Sequence, residues 1–201
     1  MPTTDDLDRK AREYVQAVKR GDLGRQARLQ DELDAATREA AARLDAPDAL
    51  ALAAVWYARR GVAVFPCKPR GKEPIVSRGL HAATTDVEQV RSWWQATPAA
   101  NIGAPTGHLF DVIDLDGREA VLATYGAGVE FPPEIGHSLT AREAGHHVFI
   151  APTGAGNRAN IYPHVDYRGR GGYVILPPSV GANGKRYAWT RPLELDVQPA
   201  T

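Results

Sequence analysis

Cysteine is nearly missing from this chain: among 201 residues only Cys67 occurs. One thiol can neither close an internal disulfide nor build a cysteine-rich zinc module. Long apolar runs are missing too. The longest, Ala49 to Ala58, is too short to span a bilayer, and the N-terminus carries Asp5, Asp6 and Asp8 where a secretory signal would place basic and then greasy residues. A cytoplasmic protein with no membrane partner is expected. Charge of one sign is not in excess, with 24 Lys+Arg against 24 Asp+Glu, so any polyanion has to be bound locally. Also absent are Gly-x-x-x-x-Gly-Lys-Ser/Thr, His-Glu-x-x-His and Gly-x-Ser-x-Gly. Their absence excludes a P-loop NTPase and argues against zincin and α/β-hydrolase chemistry.

What is present divides near residue 47. The first 45 residues hold nine Lys/Arg and ten Asp/Glu with no tryptophan or phenylalanine, and the series Leu7, Ala11, Tyr14, Val15, Val18 and Leu29, Leu33, Ala36, Ala40, Leu44 repeat one helical face. Two amphipathic helices with solvated outer faces are expected in an extension over residues 1–46. A domain over 47–195 follows. It opens with a helix from Pro47 to Arg60, stopped by Gly61, and a short strand from Val62 to Phe65 closed by Pro66. A capping box of Thr85 and Glu88 starts another helix, in which Trp93 and Trp94 read as core rather than as a base-stacking platform. Arg118 to Tyr125 reads as one more helix. From Pro98 onward short strands dominate: NIGAP, LFDVIDL, HSLTA, HHVFIA, GGYVIL and RYAW. The expected class is α+β, with helices early and a mainly antiparallel sheet late.

Three segments carry candidate chemistry. Strand alternation puts Asp114 and Asp116 on one face and Asp111 on the other, and two adjacent carboxylates suit a divalent cation such as Mg2+ or Mn2+. The pair reads equally as a strand-end residue followed by a helix cap, and the residues alone leave both open. In HHVFIA, alternation directs His147 and His146 to opposite faces, so one histidine at most enters a given site; His147, two after Gly145, is as compatible with packing as with ligand contact. The segment VDYRGRGGYV follows Asp166 with Arg168 and Arg170 among glycines, and from Ala155 to Thr190 five Lys/Arg face one Asp. That is an anion-binding footprint, although a tight turn also explains the glycines.

The ordered series ALAAVWYARRGVAVFPCKPRGKEP, ATTDVEQVRSWW, NIGAPTG, VIDLDG, GHHVFIAP and VDYRGRGGYVILPPS resembles the N-terminal domain of bifunctional DNA primase/polymerases, of the archaeo-eukaryotic primase superfamily, over about residues 50 to 190. The resemblance implies a prim-pol domain with an RRM-like core. It implies that Asp114, Asp116 and Asp166 bind two divalent metals, Mg2+ or Mn2+, and that His147 contacts the incoming nucleotide; Arg168 and Arg170 of the anion-binding footprint, with Lys72, are expected as further substrate-binding residues. Implied partners are nucleoside triphosphates, a single-stranded DNA template and a separate helicase. Where many relatives have Ser-Gly-Gly before the histidine, this chain has Arg142, Glu143, Ala144 and Gly145. That departure makes a catalytically weak nucleotide- or DNA-binding accessory domain the alternative to a DNA primase/polymerase.

Overall fold

A computed structural model describes residues 48–194, together with positions 13, 20, 22, 24, 25 and 28. The chain divides into two units, 1–46 and 47–201. The two helices expected in the first lie outside the described residues; the second carries the fold and the site.

Helix α1, Ala49–Arg59, buries Ala49, Ala54, Tyr57 and Ala58 along one stripe, the spacing that 3.6 residues per turn requires. It ends where Gly61, at φ 80°, donates its N–H to Ala58 O at 3.0 Å, a left-handed closure that glycine makes without strain. Strand β1, Phe65–Cys67, runs through Pro66 instead of stopping before it. Proline is tolerated there because β1 is an edge strand, where a missing N–H breaks no ladder. Helix α2, Val87–Ala96, starts one residue later than the capping box suggests. Asp86 caps it, accepting from the backbone N–H of Glu88 at 2.9 Å and of Gln89 at 3.3 Å, while Thr84 Oγ1 receives the Asp86 N–H. Trp94 is fully buried and donates Nε1–H to Ala100 O, so the tryptophan pair belongs to the core.

Strands β2 (Asn101–Pro105) and β3 (Asp111–Leu115) follow, then helix α3 (Arg118–Thr124) and strands β4 (Glu134–Leu139), β5 (His146–Ile150), β6 (Arg158–Tyr162), β7 (Val165–Arg168), β8 (Tyr173–Leu176) and β9 (Ala188–Arg191). They form two sheets with every pairing antiparallel, β1-β2-β8 and β6-β7-β3-β5-β4-β9. The chain is thus α+β with a mainly antiparallel main sheet. Edge strand β6 has every residue exposed and so lacks the apolar alternation that would announce it.

The main sheet is covered on both faces. On one, Val112 and Phe149 pack with Ile102, Ala104, Val174 and Leu176 of the small sheet and with Tyr57, Val90 and Trp94 of α1 and α2. On the other, Ile113, Leu115, Val148, Ile150 and Val165 pack under Ala120 of α3. Full burial of side chains such as Phe149 contributes roughly 1.5–3 kcal/mol each. Among the described residues no helix is long and apolar enough to cross a membrane.

Candidate functional site

The face of the main sheet turned toward the small sheet carries the polar row. Residues directly opposite one another in an antiparallel pair share a face. Here Asp166 on β7 pairs with Asp114 on β3, Asp114 with His147 on β5, and His147 with Ser138 on β4. Asp114, His147 and Ser138 are buried, with relative exposures of 6%, 3% and 0%. Burial opposes the charge of Asp114, yet the hydrogen bond and charge of His147, then the charges of Arg168 and Lys72, outweigh it and hold the carboxyl at about 2. It is therefore ionised at neutral pH.

Arg168 lies one strand step beyond Asp166, and its guanidinium bridges the acids, 3.3 Å from Asp114 Oδ2 and 2.8 Å from Asp166 Oδ2. His147 Nε2 lies 3.4 Å from Asp114 Oδ1. Asp116 continues the face beyond the strand end, with Arg142 Nε 3.4 Å from its Oδ1. It does not cap the next helix: Gly117 stands at that position and no side chain caps the helix. Lys72 is close enough for its charge to act on Asp114. Its loop is fixed from behind, because buried Asn101 donates to Gly71 O at 2.9 Å and Tyr173 OH donates to Lys72 O at 3.1 Å. Arg170 is exposed, past the end of β7.

Three expectations resolve on these contacts. Asp111 indeed turns to the other face, where its Oδ2 accepts from Thr153 N at 2.7 Å and from the Tyr167 hydroxyl. His146 turns there as well, its Nδ1 3.0 Å from His137 Nε2; burial, then the charges of His137 and His147, lower its pKa. Of the glycines after Arg168, Gly169 and Gly172 pack into a turn, while Gly171 is exposed with open space where a Cβ would stand. Gly169 N–H donates to Asn157 Oδ1, Arg170 N–H to Ala155 O and Gly172 N–H to Gly169 O. Gly145 likewise has a structural cause, since a Cβ there would collide with Thr140 Oγ1 inside the β4–β5 hairpin.

Sequence reading missed three neighbours of the row. Tyr187 is buried beside His147, ring centroids 6.0 Å apart; burial, then the charges of Asp114 and Asp116, push its phenol up to about 12. Ser138 and Arg142 belong to the hairpin that carries His147, the one on β4 and the other in the turn. Parity within that hairpin could have found Ser138, whereas nothing local marks Tyr187.

The donor chemistry suits a hard divalent cation: carboxylate oxygens, one carboxyl ionised despite burial, and a guanidinium already standing as the positive charge between two of them. Among the described residues, no group of three or more His, Cys, Asp or Glu side chains is drawn together closely enough to hold a metal. Asp114 and Asp166 meet under Arg168, while Asp116 is engaged by Arg142.

Residues 54–201 match the family model described as bifunctional DNA primase/polymerase, N-terminal. No curated protein matches the chain.

Proposed function

Because the chain belongs to the family of bifunctional DNA primase/polymerase N-terminal domains, we propose that it is a template-dependent nucleotidyl transferase, starting or extending primers on single-stranded DNA from nucleoside triphosphates. The observation that carries the reading is the in-register row Asp166, Asp114, His147 across three adjacent strands, with Arg168 bridging the acids. Asp114, Asp116 and Asp166 would hold Mg2+ or Mn2+, which in such a site supplies Lewis-acid stabilisation of phosphoryl oxygens and activation of the attacking hydroxyl.

The chain's own side chains do the rest. Asp114 stays ionised because His147, Arg168 and Lys72 surround it. Arg168, about one third exposed, neutralises the acids before substrate arrives, and its guanidinium, a planar donor suited to phosphate oxygens, would turn to the triphosphate when nucleotide binds. Lys72, on its anchored loop, adds a second positive charge. His147 offers Nε2–H at the floor of the site, where removal from water strengthens each contact. Arg170, exposed past the strand end, serves the outer phosphates or the template backbone.

The pairing of both acids with Arg168 also favours a second reading, an accessory domain that binds nucleotide or DNA with little synthesis. One assay separates the two: purified chain, single-stranded circular DNA, ribo- and deoxynucleotides, and Mg2+ or Mn2+. Primer products that vanish in Asp114→Ala and Asp116→Ala support the transferase. Nucleotide binding without product, in both metals and on a supplied primer, supports the accessory domain.

A further inference from the structure

Two polar atoms at the end of the buried row have no hydrogen-bond partner among the described residues: Ser138 Oγ and His147 Nδ1. They belong to residues directly opposite one another on β4 and β5, so their Cβ atoms are about 4.5–5.5 Å apart on one face. The two are complementary. His147 Nε2 faces a carboxylate oxygen of Asp114 at 3.4 Å, an acceptor that places the proton of the neutral ring on Nε2 and leaves Nδ1 as a bare acceptor. The Ser138 hydroxyl is a donor whose hydrogen turns to suit its surroundings. Leaving both buried and unmatched would cost the desolvation of each with nothing gained in return.

We propose that Ser138 is the positioning residue of His147, its hydroxyl donating to Nδ1 after a rotation about the Cα–Cβ bond. This sets which edge of the ring faces the acids. Turning the ring over would exchange Nδ1 for a carbon and forfeit the bond, so the serine holds Nε2–H toward Asp114 and the space above it. The neighbouring rings of Phe149 and Tyr187, at centroid distances of 6.2 Å and 6.0 Å, restrict the imidazole's position but are blind to its orientation. That the edge so presented meets substrate rests on the transferase reading; the serine–histidine link does not.

The test is made on the full chain, 15N-labelled, free of nucleotide and metal. The His147 ring nitrogens are observed by long-range 1H–15N correlation with the ring uncharged, assigned with His147→Gln. In the wild type Nδ1 should resonate as a hydrogen-bonded acceptor, and in Ser138→Ala it should move downfield to the position of a bare one. Thermal unfolding gives a second reading of opposite sign for the two cases. If the serine were an isolated buried hydroxyl, alanine would leave the melting temperature unchanged or raise it; as the partner of Nδ1, its loss should lower the temperature by about 2–4 °C. An unmoved Nδ1 resonance with an unchanged or raised melting temperature overturns the proposal. Because neither measurement involves turnover, a wild type that makes no primers would sink the transferase reading and leave this one standing.

Discussion

At the scale of single residues, two side chains govern the electrostatics of the site. Asp114 has a folded-state pKa of about 2 against ~3.9 for an unperturbed aspartate. A depressed carboxyl stabilises the fold above the unfolded value, here by about 2 kcal/mol, and that contribution is lost as pH falls from near 4 toward 2. Urea unfolding of wild type and Asp114→Asn in chelator, from pH 7 down to 2.5, should show a stability gap that narrows with acid. A gap constant across that range would refute an ionised, paired Asp114. Arg168 holds two carboxylates at once, so Arg168→Ala leaves Asp114 and Asp166 facing each other without the cation between them, with only His147 and Lys72 still acting on Asp114. We expect the metal-free protein to lose about 1–2 kcal/mol, the figure being tempered by the partial exposure of Arg168. Mg2+ or Mn2+ should restore most of it, read as a metal-dependent melting temperature steeper than in the wild type. Nucleotide affinity should fall roughly ten- to hundredfold, measured by titration.

Among elements, the β4–β5 hairpin decides where His147 stands. Its turn closes through Thr140 N–H to Gly145 O at 2.8 Å and Gly145 N–H to Arg142 O at 3.1 Å, and Gly145 has no room for a Cβ beside Thr140 Oγ1. Gly145→Ala should therefore destabilise by about 1–3 kcal/mol, the usual cost of overpacking. Adding Thr140→Ala should recover part of the loss, a coupling readable from a double-mutant cycle by chemical denaturation. Additive losses would place the cause elsewhere than in that contact. The small sheet contributes from the other side, its Asn101 fixing the loop that carries Lys72. Positive charge thus reaches the acids from two separate elements, β7 and this loop.

For the whole unit 47–201, the site depends on two sheets staying in register with each other. Tyr57 ties them: its hydroxyl donates to Pro177 O, at the end of β8, at 2.7 Å and accepts from Trp189 Nε1, on β9, at 2.8 Å. Tyr57→Phe removes one oxygen and leaves two partners unmatched, which should cost about 1–3 kcal/mol. Equilibrium unfolding in urea checks this, and a change below about 0.5 kcal/mol would mean that the sheets are held by apolar packing alone.

The α+β class, most element positions and the side of the strand on which each acid and histidine lies are legible in the residue order. All of these follow from local periods, 3.6 for helices and 2 for strands, and from punctuation by Gly and Pro. Asp111 opposite Asp114 and Asp116, and His146 opposite His147, came from parity alone. The family resemblance supplied Asp166. Folding alone brings Asp166, Asp114, His147 and Ser138 into one row, sets Arg168 rather than Arg170 against the acids, and closes Tyr187 beside them. Alternation fixes a face but not a partner strand, and register is set by turns and packing far along the chain. The glycines show the same limit: what fills the space beside Gly169 is Ala155, a neighbour that folding, and not spacing, brings there.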